Sequence, residues 1–337
     1  MKKSLSSLRF LFSFLVFIGH LGLTKVSVGH AFFIILSGFI LMYVYEKRLI
    51  SNSISKKEFF LKRLKRIYPL HIITLLVAVF FVLQDVCENG MFFSAKFFVN
   101  LFLIQAFIPF GDFYFSFNGV SWNVSVLLFC YFVFPFIVPF FSTISLRKFT
   151  FLILSIGIGI FILMLFIPQK LHHALFYISP ILRIFDFIFG IYLFKLSHYF
   201  SKKKYNYSIL EVSSLIVFLI FFIVANFFPK IFLPFAYSIY FWIPLGFFIL
   251  IFSVEKGIIS NYILKKSIFL FLGALSYPFY MWHQLVIRFF ERLDFGYHGN
   301  TKFIFLFLIA LTFTIIVSYL YSILEKKYIK KLMTKIN

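Results

Sequence analysis

Arg9 and His20 are the only titratable groups of RFLFSFLVFIGH, an otherwise uncharged and mostly apolar run. At about 100° and 1.5 Å per residue, their spacing puts both on one face of a helix, roughly 16 Å apart along its axis. An ionisable group in hydrocarbon costs several kcal/mol unless it is paired or faces a cavity, so such a pair marks function. Histidine is the side chain best matched to taking a proton from a hydroxyl at neutral pH. Arg63 and Arg66, in RLKRIYPLH, stand at i, i+3 and share a face. Guanidinium groups on one face can grip phosphate bidentately, which lysine cannot match. A second polar group gathers Ser121, Trp122, Asn123 and Ser125 with Trp282, His283, Gln284 and Arg288. There the Trp122 indole, Asn123 or Ser125 could donate to a developing oxyanion. Arg183 and Asp186, again at i, i+3, read as a pair. No Ser or Cys stands in a nucleophile motif, so direct attack by an acceptor hydroxyl is the simpler chemistry.

The elements that must position these groups are membrane helices. Of 337 residues, 62% are hydrophobic and 24% aromatic, 58 are phenylalanine and 13% are charged, which cannot make a soluble surface. The net charge of +22 comes from short basic clusters between apolar runs, where it orients a membrane protein and does not point to nucleic acid. Apolar runs fall at about 5–23, 28–45, 67–84, 92–110, 120–141, 149–167, 174–196, 208–228, 231–252, 267–290 and 303–323. Eleven crossings would violate the positive-inside rule. The weakest run, 92–110, carries Lys96, Asn100 and Gln105 and is read as re-entrant or surface-lying. Ten crossings then remain, both termini are cytoplasmic, and most of the 33 Lys and Arg residues fall on the cytoplasmic side. The fold class is therefore an all-α, polytopic helix bundle of one domain, 1–337. Arg9, Arg63 and Arg66 lie near its inner face, His20 and the second polar group in the outer half. Pro69 suits the opening turn of the third crossing. Cys87 and Cys130 lie in different environments, so neither a disulfide framework nor a metal site is implied.

Seven stretches together resemble the integral-membrane acyltransferase family 3, which includes bacterial O-antigen and exopolysaccharide O-acetylases. They are RFLFSFLVFIGH, GHAFFIILSGFIL, RLKRIYPLH, SWNVSVLLFCYFVFP, SPILRIFDFIFG, LGALSYPFYMWHQLV and YSILEKKY, in family order from residue 9 to about 328. The resemblance implies a catalytic His20 with Arg9 as its partner, and an acyl-CoA donor held by Arg63 and Arg66. Ser37 and Gly38 match the family's SGF and would let the second crossing pack closely. Ser121, Trp122, Ser125 and Tyr131 match its S-W-x-x-S frame; Tyr277, Tyr280, Trp282 and His283 match Y-x-x-Y-x-W-H; Glu325 matches an acid at the end of the last crossing. Many relatives carry glutamate where this chain has Leu127, so another acid must orient the histidine, and Asp186 is preferred over Glu325.

The expectation is an acyl-CoA-dependent O-acyltransferase of a bacterial cytoplasmic membrane, using acetyl-CoA and no metal. Its partners are the donor, a glycan or lipid-linked glycan acceptor and the lipid bilayer, without nucleic acid. The acceptor side would be lined by Ser121, Trp122, Ser125, Tyr131, Arg183, Asp186, Trp282 and His283. Two other classes are consistent with buried arginine and histidine: a proton- or anion-coupled transporter, and an inactive glycan- or lipid-binding relative. Against the transporter, the chain shows no internal repeat with matching broken helices.

Overall fold

A computed structural model describes residues 2–82, 90–237, 239–293, 295–296 and 298–329, without the side chains of 233, 328 and 329. The described residues form helices and no strand. Eleven helices of twelve or more residues run in the order α1 Lys3–His20, α2 Gly29–Ile50, α3 Lys56–Phe81, α4 Gly90–Leu101, α5 Trp122–Thr143, α6 Leu146–Phe166, α7 Pro180–Ser201, α8 Tyr207–Phe227, α9 Trp242–Val254, α10 Ser267–Glu291 and α11 Gly299–Leu324.

Six of the described helices are long and apolar enough to cross a membrane on their own: α2, α3, α5 with the turn before it, α6, α8 and α11. A helical membrane protein follows. The difference from ten lies in four elements with physical reasons for falling short. α1 carries Lys3, Arg9, His20 and four serines, and α10 carries Pro278, His283, Gln284, Arg288 and Glu291. The run expected at 174–196 is broken: a π-helical turn, His173–Ile178, meets α7 at Pro180 with a bend of 51°. The run expected at 231–252 divides into a short helix Pro229–Ala236, a 3₁₀ turn Ile239–Phe241 and α9, which has only 13 residues. The described part of α4, twelve residues, spans about 18 Å, less than the roughly 20 residues of a crossing.

Pro69 does not open the third helix. The Ser55 side chain accepts from the Glu58 backbone N–H and starts α3 at Lys56, so Pro69 lies well inside it. The polar stretch KKEFFLKRLKR therefore continues the helix, and Arg63 and Arg66 sit on a rigid rod rather than a loop. Cys130 is buried, while Cys87 lies outside the described residues.

Membrane helices pack without a strong hydrophobic drive between them, so close approach depends on small residues. The tightest crossing joins α2 and α7 through a reciprocal pair. A Cβ on Gly38 would lie 2.0 Å from the Phe187 carbonyl oxygen, and one on Gly190 would lie 1.9 Å from that of Ile35. α1 and α10 meet the same way, where a Cβ on Gly273 would lie 2.1 Å from the Ser6 carbonyl oxygen. The Ser13 hydroxyl donates to the Ser276 carbonyl at 2.9 Å and ties the same two helices. Gly38, matched to the SGF motif, thus brings α2 onto α7 and leaves the neighbouring Ser37 on the wall of a cavity.

Three other ionisable groups of the apolar segments serve the fold. The Lys195 amine donates to the carbonyls of Phe141 (2.9 Å), Ser142 (3.1 Å) and Ile144, closing the end of α5. Buried Glu211 accepts from the Ile259 and Ser260 backbone N–H groups and from the Ser260 hydroxyl, anchoring the turn Ser260–Leu264. His71 donates through Nε2 to the Asn100 carbonyl at 2.8 Å and holds α4 against α3.

Gly190→Ala places a methyl carbon inside the contact distance of a backbone oxygen that cannot rotate away. Overpacking of this kind costs about 1–3 kcal/mol or more. Purified in detergent, the variant should melt at a lower temperature than the parent in a fluorescence-monitored unfolding assay, whereas Gly159→Ala, which meets nothing within 4 Å, should not.

Candidate active site

A cavity of about 120 Å³ opens between α1, α2, α3, α5 and α10. Arg9, Arg63 and Arg66 all line it, with Ser37, Asn123, Tyr131, Tyr277 and Tyr280, and none of the residues lining it is acidic. The three guanidinium groups that the sequence placed on two separate helices therefore meet in one chamber. Arg63 donates to the Tyr45 hydroxyl at 2.8 Å and lies over its ring, while its Nε has no partner. Neither Arg9 nor Arg66 forms an ion pair with a described carboxylate, and Arg66 is exposed at the mouth. Three cations converging without a counter-ion make a site for an anion. Glu325 stands outside the chamber, near enough to Tyr321 and Tyr277 for its charge to be felt there.

Tyr280 forms the link to the other end of α10. Its hydroxyl donates to the Val120 carbonyl at 2.7 Å and lies 3.2 Å from His30 Nδ1. A hydroxyl has one proton and a carbonyl can only accept, so His30 Nδ1 donates to the tyrosine oxygen. One turn on, His283 Nδ1 is 2.7 Å from the Tyr280 carbonyl and must carry its proton there. That leaves His283 Nε2 with a lone pair and no partner, in a fully buried ring. His20, exposed at the last turn of α1, lies with its ring centre 5.1 Å from that of His283 and its Nδ1 3.5 Å from Gln284 Nε2. His20 does not line the arginine cavity; α1 holds Arg9 in the chamber and His20 outside it, as eleven residues of helix require.

Several residues read as substrate-facing are turned into the packing. The Ser125 hydroxyl donates to the Leu103 carbonyl at 2.5 Å, and Ser121 accepts from Gln105 at 3.0 Å and contacts Asn100 at 3.4 Å. Leu103 has φ +56, a strained conformation for a branched residue, and Ser125 fixes it. Ser125 is thus spent on a carbonyl and is not a donor for an oxyanion; of the three candidates, Asn123 lines the cavity, its side chain hydrogen-bonded to Tyr280. Trp122 is buried against His30 and Tyr177, with ring centres 4.8 and 5.0 Å away.

Arg183 and Asp186 do pair, at 2.6 Å, and both are fully buried. The pair is closed. Asp186 accepts a second bond from the Trp242 indole at 2.5 Å, and Arg183 donates to the Tyr237 carbonyl at 2.8 Å. These bonds clamp α7 to Tyr237 and to Trp242 at the start of α9, and neither residue lines the cavity. The bonding partners of Asp186 among the described residues are Arg183 and Trp242, not a histidine, so the structure does not place it in the orienting role expected of it. Leu127 itself lines the arginine cavity. Trp282 is half-buried, its indole N–H without a partner.

His30 was missed from the sequence. The available signal was its place seven residues before Ser37, on the helix face that also presents Phe33 to the cavity. Among the described residues, no group of three or more His, Cys, Asp or Glu is placed to hold a metal ion.

This is an all-helical membrane protein with a cationic chamber in its bundle. A family model described as an acyltransferase domain matches residues 2–323, and the chain belongs to acyltransferase family 3. Neither the curated proteins nor the solved structures offer a match.

Ser125→Ala leaves a buried carbonyl at a strained residue without its donor, a loss of about 1–3 kcal/mol. The variant should melt earlier in detergent than the parent. Unchanged melting with lost activity would instead put the hydroxyl on a substrate.

Proposed function

We propose that the chain transfers an acetyl group from cytoplasmic acetyl-CoA to a hydroxyl of a cell-surface glycan, across a bacterial cytoplasmic membrane that it crosses ten times with both termini inside. The observation that carries this reading is the chamber of Arg9, Arg63 and Arg66, lined by no carboxylate, with Tyr280 of its wall bonded through its carbonyl to His283, which in turn packs against His20. Ligand pockets commonly measure roughly 300–1,000 Å³, so a chamber of about 120 Å³ suits the thin acyl end of the donor and not its nucleotide. The phosphates then stay at the mouth with Arg66 and Arg63, and the long pantetheine arm reaches inward past Arg9.

The chemistry balances as one acyl transfer. His20 takes the proton of the acceptor hydroxyl, the oxygen attacks the thioester carbonyl, the carbon–sulfur bond breaks, and the thiolate leaves and is protonated. The tetrahedral oxyanion needs a donor, and Asn123 is the one at the cavity wall. His283, its tautomer set by the Tyr280 carbonyl, offers Nε2 as the acceptor that steadies His20.

Membranes containing the intact protein should move label from radiolabelled acetyl-CoA into envelope glycans of the native host, and His20→Ala at equal expression should not. No label with either protein would overturn the reading and favour an inactive relative, Leu127 having replaced the acid. Arg66→Lys keeps the charge but loses the bidentate fork, and should raise the KM for acetyl-CoA by about tenfold while leaving the acceptor KM unchanged. Equal change in both would argue against separate donor and acceptor ends.

A further inference from the structure

The wall of the arginine chamber also holds two neutral groups that the fold leaves unused. Asn123 on α5 and Ser276 on α10 both line it, and both are wholly buried. Neither Asn123 Oδ1 nor the Ser276 hydroxyl has a hydrogen-bond partner among the described residues. The bond from Ser13 reaches the backbone carbonyl of Ser276 and leaves its hydroxyl untouched. The Asn123 amide is held in one orientation. The Tyr280 hydroxyl gives its proton to the Val120 carbonyl, so it can only accept from Asn123, as it does from His30 Nδ1. Asn123 Nδ2 therefore faces Tyr280, which leaves Oδ1 as a bare acceptor and a second Nδ2 hydrogen for an oxyanion. Ser276 stands one helical turn before Tyr280, and α10 runs on from there to His283. The two groups thus follow one another along the chamber, Ser276 first and Asn123 nearer the histidines. Buried polar atoms are almost always bonded, so two without partners on one cavity wall mark bonds that a ligand completes.

From this we infer that Asn123 and Ser276 form an amide-reading subsite within the cationic chamber, which selects a phosphorylated donor whose acyl group rides on an amide-bearing arm. The inference rests on the acyl-transfer reading of the same chamber for what the donor does, but not for the binding itself. Arginines grip any phosphate, so they do not tell an acyl phosphate from a thioester on a pantetheine arm. An acyl phosphate has no N–H to offer, and its oxygens would meet Asn123 Oδ1 acceptor to acceptor. A secondary amide supplies what both groups lack: its N–H suits Asn123 Oδ1, and its carbonyl accepts from the Ser276 hydroxyl. The pantetheine arm carries two amides in line. With the phosphates at the mouth, the amide nearer them meets Ser276 and the one nearer the thioester meets Asn123.

Binding is measured without an acceptor, so that its failure is separate from failure of acyl transfer. The full chain in phosphatidylcholine nanodiscs is titrated calorimetrically with coenzyme A and, separately, with 3′-phospho-ADP, which has the nucleotide and no arm. Coenzyme A should bind the more tightly. Ser276→Ala and Asn123→Leu should each weaken it about three- to tenfold and leave 3′-phospho-ADP unchanged. Asn123→Leu also takes a donor from Tyr280, so Ser276→Ala, whose hydroxyl bonds nothing in the fold, is the decisive variant. Coenzyme A affinity unmoved by Ser276→Ala, or an equal loss for both ligands, overturns the inference. So does acetyl phosphate that displaces coenzyme A from the parent as well as 3′-phospho-ADP does. Absence of saturable coenzyme A binding overturns the inference and the donor reading together. The stated binding pattern without label transfer keeps the subsite and overturns only the acyl-transfer reading.

Discussion

A guanidinium in hydrocarbon needs an anion, and the fold supplies one to Arg183 while withholding it from the three arginines of the chamber. Two acidic residues are wholly buried among those described, Asp186 and Glu211. Both are spent: Asp186 on Arg183 and Trp242, Glu211 on the turn at Ser260. Breaking a closed buried pair costs about 3–5 kcal/mol, so Asp186 cannot be lent to a second partner during a reaction. The charge that answers Arg9, Arg63 and Arg66 must come from outside the bundle. In the proposed reaction a phosphorylated donor would bring it, and on leaving would take it away.

This allocation also explains why strain is placed where it is. Leu103 and Phe117 share a left-handed conformation, and each is pinned through its carbonyl by a residue of α5 or α10: Ser125 for the first, Arg288 for the second. Their bonds hold the loop between α4 and α5 against the end of the bundle where the histidines stand. Polar residues that look like substrate ligands by type are in part the pins of this loop. The cost of the strain, about 1–3 kcal/mol at each residue, is offset in part by a buried neutral hydrogen bond at Leu103 and a half-buried charge-assisted one at Phe117.

Period and composition made the membrane class legible, and the i, i+3 spacings made the Arg63–Arg66 face and the Arg183–Asp186 pair legible, because both depend only on helix geometry. The breaks at 178–180 and 237–242 were not legible. The first carries a local signal, Ser179 before Pro180 at the start of α7, that the apolar run around it hid; at the second the contacts are tertiary, the Tyr237 carbonyl turning to Arg183 and Trp242 to Asp186. Pro69 misled for the opposite reason. A proline is expected near a helix start, but Ser55 had already started the helix before it. The roles of Ser121 and Ser125 were hidden because a hydroxyl reads alike whether it meets a sugar or a carbonyl. His30 was passed over because a single histidine in an apolar run usually belongs to the core.

Leu127 is the place where the site's physics departs most from the family resemblance. A glutamate there would project into the same chamber as three arginines, and would neutralise part of their charge before any ligand arrived. With leucine, the chamber keeps its full positive charge, which would strengthen attraction for a phosphate-bearing donor, and it has no acid of its own to orient a base from within. The orienting task then falls to what stands beside His20. His283 fits it, since its proton is held by the Tyr280 carbonyl and its Nε2 is free and buried. A neutral imidazole orients without adding charge, and so leaves the chamber cationic for the donor, whereas a carboxylate orients at the cost of weakening the donor's grip. In the proposed mechanism, leucine in place of the acid would therefore move the balance of the site toward binding, and the burden of catalysis onto the histidine pair.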